Sequence, residues 1–238
     1  MLAPPTDHAD GGWTVVALRK GRGRPPKTPA RAPPRAGPPR SAQDMAAEYQ
    51  RIRADPSSRP WCSAIRAVVA RHAPALAPVT AAVCLGIGSF DPADGAWEAK
   101  RRSYVQLLGL AVMLDELEKT HGRRIRCTFQ EPVFTAADVE FLTSLGHVVV
   151  EAPAACEALT PDSLLYGIHL YRSLYAEALQ VALPAVYVGT GWDVWDQMLP
   201  GVDDGLQGIE TMHKTYHKAP FPQEGTAFSS TCLYWRRD

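Results

Sequence analysis

The chain has 238 residues, enough for one sizeable domain and a tail. Basic and acidic residues balance at 25 each, so net charge gives no argument for nucleic acid or a membrane surface. No apolar run approaches the roughly 20 residues that cross a bilayer. Five scattered cysteines, with no Cys-x-x-Cys pair and no secretory signal, point to a reduced intracellular protein.

The charge balance hides an asymmetry. Arg19, Lys20, Arg22, Arg24, Lys27, Arg31, Arg35 and Arg40 share one stretch, with no acid between Asp10 and Asp44. Residues 13–18 (W-T-V-V-A-L) form a short β-like run. Residues 21–40 are rich in Gly, Pro and Arg and have little to bury, so they predict a disordered basic tail. This divides the chain into an N-terminal segment, 1–40, and an α/β domain, 41–238. Within the tail, Arg22-Gly-Arg-Pro25 has the form of an AT-hook. Extended in a narrow A·T minor groove, it would insert Arg22 and Arg24 between the phosphate walls. A basic linker yields the same tetrapeptide, and weak polyanion binding or nuclear targeting is its plainer use.

Residues 44–53 and 61–71 read as helices, the second with Ile65, Val68 and Val69 at i, i+3, i+4. Residues 79–85 form the first core strand, which breaks into Gly86-Ile-Gly88-Ser89. A charged loop, 91–102, leads into a buried helix over 104–114, ended by the charged run 115–119 and Gly122. Residues 125–129 are the second strand, closed by Glu131. Thr135 and Asp138 give a capping signal ahead of Val139, Leu142 and Leu145, and Gly146 stops that helix. Residues 147–150 are a third strand and 164–168 a candidate fourth. Tyr171, Leu174, Tyr175, Ala178, Leu179 and Ala182 mark one face of a helix. Residues 185–188 are the last parallel strand, running into Gly189-Thr190-Gly191. This alternation predicts an α/β fold: a Rossmann-like, doubly wound, mostly parallel sheet flanked by helices.

In such a sheet, ligands lie outside the carboxyl ends of the strands, where strand order reverses. Those ends carry Gly86, Gly88, Ser89, Glu131, His169, Gly189 and Thr190. The amides of Gly88 and Ser89 would hold an anionic or carboxylate group, and Glu131 would accept hydroxyl hydrogens. His169 is the one candidate for proton transfer. Against this, Glu131 lies 43 residues after Gly88, compared with roughly 20 in a compact dinucleotide fingerprint. The glycines could serve packing alone, and His169 a cap or the core. His213 and His217 stand at i, i+4, half of a helical zinc site, but no third ligand has metal spacing nearby; a surface pair and no metal are expected. No nucleophile elbow, Walker sequence or contextual Cys–His pair occurs. Asp193 and Asp196, with Trp192 and Trp195, either edge the cleft or open a helix.

The ordered set of these pieces resembles the SRR-like (Sensitivity to Red Light Reduced-like) domain family. The matching pieces are Val83-Cys-Leu-Gly-Ile-Gly-Ser-Phe90, Gln106-Leu107, Glu131-Pro-Val-Phe134, Leu145-Gly-His-Val148, His169 with Leu174-Tyr175, and Gly189-Thr190. Trp13-Thr-Val-Val with its basic run and Phe228-Ser-Ser-Thr-Cys-Leu-Tyr-Trp235 extend the resemblance to both ends. Glu131 replaces the family's usual Asp, and Thr190-Gly191 departs from its Asn-Ser. The resemblance implies an intracellular regulatory protein of cytoplasm and nucleus, tied to light signalling and the circadian clock or to haem-related regulation. It implies no agreed reaction or cofactor. It leaves open a nucleotide-like or tetrapyrrole ligand and a regulatory protein partner. Two rival readings stand beside it: an enzyme binding a nucleotide or S-adenosylmethionine through Gly86–Ser89 and Glu131, and a DNA-associated protein acting through the tail.

Overall fold

The computed structural model describes residues 37–76, 78–198 and 205–236. The β-like run at 13–18, most of the basic tail and the Arg22–Arg24 hook therefore lie outside the described residues.

Seven strands form one sheet in the order β3-β2-β1-β4-β5-β7-β6. They are β1 (Ala81–Leu85), β2 (Arg126–Gln130), β3 (Val148–Val149), β4 (Ser163–Gly167), β5 (Val186–Thr190), β6 (His217–Pro220) and β7 (Thr231–Trp235). β7 runs antiparallel to both β5 and β6, and the other strands share one direction. Strand order reverses between β1 and β4.

The helices follow from what each strand face must bury. Alternation sends Ala82, Cys84, Cys127, Phe129, Tyr166, Val188 and Trp235 to one face. There they meet α1 (Ala42–Ala54), α2 (Arg59–His72), α3 (Trp97–His121) and α4 (Ala136–Ser144). Val83, Leu85, Leu165, Tyr187 and Tyr234 face the other way, onto α5 (Ala154–Glu157), α6 (Arg172–Val181) and α8 (Gln207–Thr215). Every residue of β4 and β5 is buried, as strands covered on both faces require. The fold is the expected doubly wound α/β sheet.

Several boundaries differ from the sequence reading. α3 begins at Trp97 and runs to His121, so residues 97–102 belong to the helix and the charged run 115–119 continues it. Leu117 keeps the buried stripe going there, and Lys119 pairs with Glu116 at 3.2 Å. β3 shrinks to two residues, while β5 extends through Gly189 and Thr190. α7 (Trp192–Met198) starts at Trp192, so Asp193 sits in its first turn. The sequence reading assigns no element to α8, β6 or β7, although Ile209 and Met212, three residues apart, form a buried face on α8. Thr135 and Asp138 form a full capping box, as their spacing predicts.

Candidate functional site

The turn after β1 is built around carboxylates. Gly86 N–H continues the ladder, donating to the Gln130 carbonyl at 3.1 Å. Gly88 N–H donates to Glu131 Oε2 at 2.8 Å. Asp138 takes the next groups: Ser89 Oγ donates to it at 2.9 Å and Phe90 N–H at 2.8 Å. Successive backbone amides make an anion-binding concavity. Here the protein supplies the anions itself, from the end of β2 and the first turn of α4.

Both glycines are also required by close approach. Gly86 has φ +67° and Gly88 φ +80°, a region that side chains rarely adopt. A Cβ on Gly86 would collide with Leu170 Cδ2, and one on Gly88 would sit 2.9 Å from Ser103 Oγ of α3. A Cβ on Gly167, at the end of β4, would likewise stand 2.5 Å from Leu170 Cδ1. Its side chain fills the notch between β1 and β4, the place where strand order reverses.

The open space is displaced toward the sheet edge. A cavity of about 560 Å³ lies beyond β2 and β3, lined by Glu131 and Glu151 over Pro132, Phe134, Val139 and Val149. Glu131 enters it already oriented, because Oε1 accepts Val133 N–H at 3.2 Å while Oε2 holds Gly88. One accepted bond on each oxygen leaves each a further acceptor position. Gln130 braces the wall, since its buried Oε1 accepts Ala155 N–H at 3.0 Å.

The remaining candidates form separate groups. His169 is exposed, with φ +58°, and its Nε2 lies 2.8 Å from the Ser229 carbonyl oxygen. A carbonyl only accepts, so Nε2 carries the hydrogen and Nδ1 is the ring's accepting atom. Thr190 is buried inside β5. Its N–H donates to the Tyr175 hydroxyl at 2.9 Å, and that hydroxyl donates to the Gly167 carbonyl at 2.5 Å. Burial raises the Tyr175 pKa, which keeps this hydroxyl a donor. Gly189 pairs with Gly167 in the sheet, and a Cβ there would stand 2.7 Å from the Gly167 carbonyl oxygen. All seven candidates thus sit at carboxyl ends of parallel strands, but only Gly88 and Glu131 among them share a hydrogen bond.

His213 lies on α8 and His217 opens β6, so the two do not share a helix. His213 instead places Nδ1 3.1 Å from the Tyr234 hydroxyl and Nε2 3.1 Å from Lys218 Nζ. No cluster of three metal-ligating side chains occurs among the described residues. Burial pushes the Cys156 thiol up to about 11 and the Cys232 thiol up to about 12, so both stay protonated near neutrality.

Sequence reasoning missed Leu170 as the plug and the second role of Asp138. Asp138 was visible as a cap, and Leu170 follows directly on the His169 that drew notice. Neither spacing says what a side chain meets across the sheet.

No curated protein matches the chain in sequence. In three dimensions it is similar to an SAH-bound methyltransferase of Podospora anserina, at 13% identity and TM-score 0.39, covering 85% of this chain and 90% of that one. It is also similar to a protein from Listeria monocytogenes described as a class I S-adenosylmethionine-dependent methyltransferase. That match has 8% identity and TM-score 0.40, covering 83% of this chain and 69% of that one. The SRR1 domain model matches residues 63–235, from α2 through the last residue of β7. With all seven strands of the sheet inside that match, the chain belongs to the SRR1 domain family.

Proposed function

We propose that this SRR1 domain is a regulatory protein that binds a phosphate-free nucleoside-type ligand in the cleft beyond β2 and β3. The observation that carries the reading is Glu131: its carboxylate lines the 560 Å³ cavity and is held there by Gly88 N–H at 2.8 Å. A fixed carboxylate with spare acceptor positions suits the paired hydroxyls of a ribose. Pro132, Phe134, Val139 and Val149 offer a flat base an apolar surface. Glu131 and Glu151 together disfavour phosphates and the propionates of a tetrapyrrole, because like charges repel at short range. A regulatory role in light, clock or haem-related control, in cytoplasm and nucleus, follows the family resemblance. The protein partner that would read the bound state belongs to the same proposal.

The reading is tested by thermal shift and calorimetry with adenosine, S-adenosylmethionine, adenosine triphosphate and protoporphyrin. A ligand at 100 times its dissociation constant adds about 2.7 kcal/mol to stability. Adenosine or S-adenosylmethionine should raise the melting temperature, and the triphosphate and the porphyrin should not. Val139→Trp fills the cavity from a partly exposed position and should abolish the shift. The reading fails if no nucleoside shifts the transition, or if Val139→Trp binds as well as the parent.

A further inference from the structure

A second cavity, of about 340 Å³, lies between α1, α2 and α3, on the helical layer away from the nucleoside cleft. Two helical stripes make it. On α2, Arg59, Cys62, Ser63 and Arg66 recur at i, i+3, i+4, i+7, one face over two turns. On α3, Leu108, Ala111, Val112 and Asp115 follow the same spacing. The small side chains of Ser63 and Ala111 leave room between helices that otherwise pack closely. Arg53, from the last turn of α1, closes one end.

The charges in this cavity are unspent. Arg53, Arg59 and Arg66 make no ion pair or hydrogen bond with any described residue. Other arginines nearby are engaged: Arg51 pairs with Glu48 and Arg101 with Glu224. Asp115 is the single carboxylate lining the cavity, so three guanidiniums face one acid. Arg59 and Arg66 are separated by about 10 Å along the helix axis, close enough for both long side chains to reach one anion from opposite sides. Guanidinium pairs bind phosphate oxygens bidentately, and the apolar floor of Val112 and Cys62 suits the body of a small molecule. Arg66 and Arg53 also act on the Cys62 thiol, opposing the upward shift from burial, so their charge reaches the cavity wall.

We propose that this cavity is a binding site for a small phosphate-bearing molecule, held by Arg53, Arg59 and Arg66. A walled space of this size fits a metabolite. The site is independent of the nucleoside cleft, which carries acids and excludes phosphate.

Titrating the full chain with sodium pyrophosphate at low ionic strength, followed by calorimetry, tests it. One saturable equivalent is expected. Arg59→Gln with Arg66→Gln should weaken binding about tenfold or more, since two charge-assisted contacts are lost. Both residues are exposed, and amide exchange spectra will confirm that the double variant is folded. Asp115→Asn should tighten binding several-fold by removing the one repelling charge, a gain that no unfolding could mimic. Arg51→Gln, outside the cavity, should leave affinity unchanged. The proposal is overturned by the absence of a one-site isotherm. It is equally overturned if the double variant binds like the parent, which would put the anion on the arginines of residues 19–40, or if Arg51→Gln costs as much as the double variant.

Discussion

Asp138 and Ser89 stand 49 residues apart and share a hydrogen bond of 2.9 Å inside the protein. Asp138 is fully buried, and it also receives Phe90 N–H and both donors of Thr135. One carboxylate therefore caps α4 and fixes the turn that leaves β1. Asp138→Asn should cost about 2–4 kcal/mol, because an amide in that place turns acceptors into donors against buried donors. Urea unfolding measures it. A loss below about 1 kcal/mol would mean that the turn holds its shape without this anion.

Gly86 and Leu170 should behave as one unit. Gly86→Ala forces a side chain into φ +67° and against Leu170, with an expected loss of at least about 1–2 kcal/mol from the backbone conformation alone. Leu170→Ala should lose about 2–5 kcal/mol. In the Leu170→Ala background the added methyl meets open space, so the Gly86→Ala cost should shrink. A double-mutant cycle reads the coupling, and strict additivity would show that Leu170 is not the plug.

Gln106 ties the family's helix motif to its C-terminal motif. Its buried Nε2 donates to the Ala227 carbonyl at 2.9 Å, and the Gln106 carbonyl accepts the Tyr166 hydroxyl at 2.9 Å. Gln106→Met keeps the volume and orphans the Ala227 carbonyl, at a cost of about 1–3 kcal/mol. Stability of the variant equal to the parent would show that the motif serves something other than this pin.

Acid should weaken the fold through three partly buried histidines. His72, His121 and His147 all have pKa values below the ordinary 6.5, each chiefly through desolvation. Arg124 adds to the effect at His147. The unfolded chain then takes up protons that the folded chain refuses. The stability is full above the unfolded pKa and is lost as pH falls from about 6.5 through the lower folded values. Melting temperatures from about pH 7.5 to about 5.5 should fall, and His147→Gln should flatten the decline. An unchanged slope in that variant would remove His147 from the account.

How far the sequence carried the reading depended on whether a signal was local. The strands of β1, β2, β4 and β5 were legible because an apolar run bounded by glycine or a polar turn needs no partner to be recognised. The Thr135–Asp138 box was legible for the same reason. The start of α3 was hidden, since Trp97–Arg102 is charged and its helical state depends on the buried stripe that follows. β7 was hidden because Thr231–Trp235 becomes a strand only beside β5, which it meets across 40 residues. At the site, chain order placed Gly88 and Glu131 at adjacent strand ends. It could not show that the two would satisfy each other, nor that Leu170 would close the notch and move the open space to the sheet edge.

The interior position of β7 has a consequence for how the protein is made. After β1, each of the other strands can dock against a neighbour already synthesised, but β6 leaves the ribosome with no partner of its own. β5 meanwhile waits with one edge bare until Thr231–Trp235 emerges between them. A nascent chain stalled before Thr231 exposes two unpaired strand edges, surfaces that recruit other chains. Closure of the sheet is therefore a late event that depends on a few C-terminal residues. A premature stop just upstream of them should yield aggregates rather than a slightly shortened domain.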